Sequence, residues 1–145
     1  MASDTWLVAH DFSPCGEAAA KEAARVVERL GGKLVLLHVH PLPQLRPEEA
    51  WGEETHRMQE ELRMRLQGQA SVLRERFPKL DIDLDVIPAR DPAKGIVEEA
   101  ERLGVNHVGV GTHGRKGLEH LVLGSVAEKV AREAKVPVTI VRGLT

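Results

Sequence analysis

At 145 residues, with 42% hydrophobic and 29% charged residues and a formal net charge of −2, the chain has the composition of a soluble globular protein large enough to bury its own core. No basic excess is available to release counterions from nucleic acid, and two Trp, two Phe and no Tyr offer no platform for stacking bases. The N-terminus has no basic segment ahead of a signal-length apolar run, and the apolar runs are strand-length. The expectation is therefore a cytoplasmic protein with no membrane span and no nucleic-acid partner.

Short β-like runs alternate with amphipathic ones. Trp6–His10 reads as a mostly apolar strand. Ser13-Pro14 then reads as the N-cap and first residue of a helix from about Pro14 to Leu30, with Ala19, Ala23, Val26, Val27 and Leu30 on one face. Gly31-Gly32 ends it, and Lys33–Val39 is a second strand, apolar on both faces as buried parallel strands are. Pro41 to Pro47 reads as a connection. Glu48–Phe77 is a long, charged, mainly helical segment with Met58, Leu62, Leu66, Val72 and Leu73 as inward candidates. Ile82–Ile87 alternates apolar residues with aspartate, which places it at a sheet edge with one wetter face. Asp91-Pro92 opens another helix, which Gly104 closes. His107–Val110 is the fourth strand, a glycine-rich turn follows, and Val126–Ala134 and Pro137–Val141 supply the last helix and strand. This alternation predicts an α/β fold, a doubly wound parallel sheet with helices on both faces and no second domain.

The densest signal is Gly111-Thr112-His113-Gly114, nine further residues, then Gly124-Ser125, set between a strand and a helix. Main-chain N–H groups and the helix dipole favour phosphate at such a junction. Gly111 and Gly114 can take positive φ or admit a ligand close to the backbone, and Ser125 can cap the last helix. Gly109, Gly111 and Gly114 also spell G-x-G-x-x-G. A dinucleotide fold would carry that fingerprint on its first strand, directly before a helix, whereas only one strand remains here. No G-x-x-x-x-G-K-[ST] is present, which excludes a P-loop.

The spacing Gly, two residues, Gly, nine residues, Gly and Ser resembles the signature of the universal stress protein family, in its ATP-binding branch, without insertion or deletion. WLVAHDFS, KLVLLHV and VPVTIV resemble the family's first, second and last strands, so the resemblance spans essentially all of 1–145 as a single domain. It implies five Rossmann-like parallel strands in the order 3-2-1-4-5, with a ligand at the switch point between strands 1 and 4. It implies ATP, with or without Mg²⁺, with adenine and sugar near Ala9, Asp11 and Val39. The phosphates would lie on Gly111, Thr112, His113, Gly114, Arg115, Lys116 and Gly117 and on Gly124, Ser125 and Val126. It also implies a nucleotide-dependent stress-response module and a homodimer joined through the Pro137–Val141 strand. A slow ATP hydrolase using the same site, or a scaffold with a structural glycine turn, are the alternatives.

Each residue has a plainer reading. Asp11 can simply be an acid ahead of a helix N-terminus. Arg115 and Lys116 can be a solvated pair rather than neutralising β- and γ-phosphates, and His113 has no nameable catalytic partner. His38 and His40 share a strand face but are too few for structural zinc, and Cys15 reads as a buried side chain. The sequence identifies no catalytic residue.

Overall fold

The computed structural model describes residues 4–42, 52–114 and 124–144. The elements are β1 (Thr5–Ala9), α1 (Pro14–Leu30), β2 (Lys33–Pro41), α2 (Glu53–Arg76), β3 (Asp81–Ala89), α3 (Pro92–Leu103), β4 (His107–Gly114), α4 (Ser125–Glu133) and β5 (Val138–Leu144). The strands form one parallel sheet in the order β3-β2-β1-β4-β5, as expected. The aspartate-rich β3 is an edge strand, which is why its pattern alternates.

Local chemistry sets the helix ends. Ser13 caps α1, its hydroxyl accepting the Gly16 N–H at 3.1 Å, and Pro14 follows where no N–H is needed. Gly31 stops the helix at φ 67°. Asp91 caps α3 in the same way, accepting the Lys94 N–H at 3.2 Å, and Gly104 ends it at φ 66°. At both C-termini the left-handed residue turns its N–H back onto the last helical carbonyls.

The sheet separates two cores because side chains alternate along each strand. Trp6, Val8, Leu34, Leu36, Ile82 and Val86 pack against α1 and α2. Leu7, Val35, Leu37, Val108 and Val110 pack against α3 and α4. Small residues Ala19, Ala20, Ala23 and Ala24 let α1 lie close on the sheet.

Several boundaries and faces differ from the sequence reading. The inward face of α2 is Leu62, Leu66, Ala70 and Leu73, which leaves Met58 and Val72 exposed. Leu30, at the end of α1, is also exposed. Helix α2 begins at Glu53, and the expected start at Glu48 lies outside the described residues. Asp11 stands two residues beyond the end of β1 rather than within it. Most consequential, β4 does not stop at Val110. Residues Gly111 to Gly114 continue it and pair with Val141 to Leu144 of β5.

Candidate functional site

The chain order reverses between β1 and β4, and a cavity of about 420 Å³ opens beyond the carboxyl ends of the central strands. That volume falls in the range of small-molecule sites, roughly 300–1,000 Å³. Ala9, Asp11 and Val39 line it on the β1–β2 side, and Gly111, Thr112, Gly124, Ser125 and Val126 on the β4–α4 side. The backbone of His113 and Gly114 continues β4 and pairs with Gly143 and Leu144 of β5. Arg115, Lys116 and Gly117 lie outside the described residues.

The sequence reading did not foresee the rest of the lining: His10, Cys15, Gly16, His38, Pro41, Pro92, Ile96 and Ala127. Helix α3 supplies Pro92 and Ile96, giving an apolar wall with Ala9, Val39, Val126 and Ala127. An ion pair between Lys129 of α4 and Asp91 at the head of α3 ties these two helices together beside the cavity. The start of α3, marked by its Asp-Pro pair, was the available signal for this wall.

The Asp11 carboxylate is held by its neighbours. Ser13 donates to Oδ1 from its N–H at 3.0 Å and from its hydroxyl. Burial pushes this carboxyl up, but the hydrogen bonds from Ser13 overcome that and keep it below the usual carboxylate range. A Cβ on Gly16 would stand 2.6 Å from Oδ1, so only glycine fits beside it in α1. Two buried histidines back the turn. His10 Nδ1 accepts the Phe12 N–H at 2.9 Å, which puts the His10 proton on Nε2. His38 Nδ1 donates to the His10 carbonyl at 2.7 Å, so Nε2 is its lone-pair nitrogen. Burial lowers the pKa of both rings and keeps them neutral.

The glycine motif works differently from its first reading. Among the described glycines only Gly31 and Gly104 have positive φ. Gly111 is a glycine because α1 lies against it: a Cβ there would stand 2.4 Å from the Cys15 carbonyl oxygen. Gly143 of β5 makes room for the same residue, where a Cβ would meet Cys15 Sγ at 2.6 Å. Cys15 is thus a buried wedge under the cavity. Gly124, not Ser125, is the N-cap of α4, without a side-chain cap bond, and Ser125 is the first helical residue. The Gly124 N–H donates instead to Thr112 Oγ1 at 3.2 Å, joining the end of β4 to the start of α4. The Glu128 N–H is the donor that reaches back to the Gly124 carbonyl. The N–H groups of Ser125, Val126 and Ala127, all cavity residues, therefore have no intrahelical acceptor.

This arrangement can hold an apolar ring between α3, β1 and β2, a hydroxyl at Asp11, and an anion at the head of α4. Among the described residues no group of three or more His, Cys, Asp or Glu could hold a metal ion, and no helix is long and apolar enough to cross a membrane.

Comparison with known proteins gives the same architecture. The chain is 36% identical over 140 residues to a universal stress protein of Mycolicibacterium smegmatis, covering 94% of this chain and 45% of that one. It is 29% identical to a universal stress protein of Methanocaldococcus jannaschii, covering 94% of this chain and 80% of the relative. The chain spans about half the length of the mycobacterial relatives it matches. Among solved structures it resembles a universal stress protein in complex with cAMP, with TM-score 0.68, 21% identity and coverage of 99% and 100%. An Arabidopsis thaliana universal stress protein with AMP bound aligns with TM-score 0.64, 18% identity and coverage of 98% and 93%. The family model for universal stress proteins matches residues 3–142, and the chain belongs to the universal stress protein family.

Proposed function

We propose that the switch-point cavity binds an adenine nucleotide, ATP with or without Mg²⁺, and that the protein is a nucleotide-dependent regulatory module of the ATP-binding branch. The observation that carries this reading is the pairing of an ionised, hydrogen-bonded Asp11 with the N–H groups at the head of α4 that have no intrahelical acceptor, on opposite sides of one cavity. A ribose hydroxyl suits the first, and a phosphate suits the second. Adenine fits the apolar wall of Ala9, Val39 and Ile96. Arg115 and Lys116 follow the motif in sequence and would neutralise the terminal phosphates. Relatives of this fold solved with cAMP and with AMP support a nucleotide as the ligand class.

Calorimetry with ATP, AMP and cAMP tests the reading. One ATP per chain is expected, binding more tightly than AMP. Gly114→Val, which adds bulk within the motif, is expected to abolish binding while the melting temperature is kept. Equal ATP affinity in the two proteins would overturn the assignment.

We further propose a cytoplasmic homodimer paired along β5. That strand is the open edge next to β4, with Val138, Ile140 and Val141 half-buried and Arg142 its one charged residue. The Val108 N–H donates to the Pro137 carbonyl at 3.0 Å, so the parallel ladder turns the Thr139 N–H inward and the Ile140 N–H outward. Ile140→Pro removes an outward donor and spares the β4 ladder. It is expected to shift a sedimenting dimer to monomer, and a variant that stays fully dimeric would exclude this edge as the interface.

A further inference from the structure

Phe12 adopts φ 66°, and it is the one non-glycine residue with positive φ among those described. A bulky side chain rarely takes this conformation, and it persists only where its surroundings fix it. Three contacts do so here. The Phe12 N–H is held by His10 Nδ1 at 2.9 Å. Its ring lies against His38, with centroids 4.5 Å apart, and His38 is in turn bonded to the His10 carbonyl. Arg65 of α2 also places its guanidinium carbon 4.1 Å from the ring centroid. The ring is thus clamped between β2 and α2.

The clamp sits between two residues whose geometry matters. Asp11 precedes Phe12, and Ser13, which fixes the Asp11 carboxylate and caps α1, follows it. Rotation of the Phe12 backbone out of the left-handed region would redirect both peptide planes, and with them the carboxylate. Arg65 itself is absent from the cavity lining; it contacts the Phe12 ring and presents its charge to His38, and only the first of these is lost when the ring is removed.

We propose that Arg65 is a positioning residue of the nucleoside site: by covering the Phe12 ring it holds the turn that orients Asp11, and so links α2 energetically to the cavity. The inference rests on the nucleotide reading of that cavity. Linkage of this kind is reciprocal, so a ligand on Asp11 must also stabilise the Arg65 contact.

The test uses the full chain and adenosine, which lacks phosphate and so reports only on the nucleoside end, with AMP as a second probe. Arg65→Ala is expected to weaken adenosine binding about two- to fivefold, the scale of a partly exposed cation–π contact. Arg65→Lys, which keeps the cation, is expected to restore most of it. In a Phe12→Leu background, where the ring face is gone, Arg65→Ala is expected to have no further effect. Hydrogen exchange of α2 amides near Arg65 is expected to slow on adding adenosine to wild type, and not in Phe12→Leu. Wild-type affinity in Arg65→Ala, or an equal loss in both backgrounds, would overturn the inference alone. A wild type that binds neither adenosine nor AMP would overturn the nucleotide reading and this inference with it. Arg65 is exposed, so its variants are expected to stay folded and to melt within a few degrees of wild type, which a thermal scan checks.

Discussion

The two ends of the cavity are built on different principles. At the β1–β2 end, Asp11, Phe12, Ser13, His10, His38 and Arg65 interlock through side-chain hydrogen bonds and ring contacts, and the carboxylate is set before any ligand arrives. At the β4–α4 end, the described polar tie is one hydrogen bond, Thr112 to Gly124, and the helix starts without a side-chain cap. One end is organised by side chains and the other by main chain. The β1–β2 end should therefore tolerate change poorly in its side chains, and the β4–α4 end poorly in its backbone.

The largest expected effect separates the glycines, which look alike in sequence. Gly111→Ala drives a Cβ to within 2.4 Å of the Cys15 backbone oxygen, and neither partner is a flexible side-chain tip. We expect a loss of about 1–3 kcal/mol, the scale of overpacking. Among the described residues Gly124→Ala meets nothing closer than Thr112 Oγ1 at 3.9 Å, and it is expected to lose clearly less. Urea titration of both variants checks this. Equal midpoints would mean that Gly111 is not there for packing.

Thr112→Val is the next step down. It keeps the volume of the buried side chain and removes the acceptor of the Gly124 N–H. The first turn of α4 is then less firmly placed, and we expect ATP affinity to fall roughly fivefold, about 1 kcal/mol, the typical net worth of a hydrogen bond. Adenosine affinity should be unchanged, because Asp11 is untouched. Tighter ATP binding by the variant would show instead that Thr112 competes with phosphate for that N–H, and would reverse the picture of the β4–α4 end.

How much of this was legible in the sequence follows from the range of the interactions. Ser13-Pro14, Gly31, Asp91-Pro92 and Gly104 act within one helical turn, and their roles are as read. The strand order came from a resemblance that spans the chain, and the edge position of β3 from its alternating aspartates. Helix faces were legible only in part. Val72 and Leu30 fit an apolar period, but the position of the sheet decides which side is inside, and both are exposed. The nature of Gly111 was hidden for the same reason. Its packing partner, Cys15, is distant in sequence, and a glycine that admits a ligand and one that admits a helix look identical. Glycines are unfavourable in strands, so ending β4 at Val110 followed from local propensity, while pairing with β5 carries it on to Gly114. The Arg65–Phe12 contact had no sequence signal.

The smallest effect concerns a site on neither end, and so serves as a control on the comparison. Asp85 of edge strand β3 shares a hydrogen bond with Glu99 of α3, the helix whose first residues Pro92 and Ile96 wall the cavity. Glu99 is 5% exposed and engaged by Arg102 at 2.5 and 2.9 Å, which holds it low, while Asp85 Oδ2 is buried without a partner. Burial, and then the neighbouring Glu99, push Asp85 up to about 7, with Arg102 of α3 and Arg63 of α2 opposing. The unfolded carboxyl releases its proton near 3.8, so between there and about 7 the folded state binds more protons than the unfolded one. Stability from this pair therefore declines as pH rises through that window and is gone above it. Asp85→Asn supplies an N–H to Glu99 at any pH. It is expected to raise the melting temperature at pH 8 by about 2–4 °C, the shift that about 1 kcal/mol gives in a chain of this size. Near pH 4 the gap to wild type should be much smaller, since Asp85 is protonated in the folded wild type and still partly protonated in the unfolded one there. Adenosine affinity at pH 8 should be unchanged, because the Asp11 turn hangs on β2 and α2 rather than on α3. A melting profile that is parallel to wild type across pH 4–8 would show that no proton is shared between Asp85 and Glu99. A change in adenosine affinity would show that the Asp85–Glu99 pair reaches the cavity through Pro92 and Ile96 of α3.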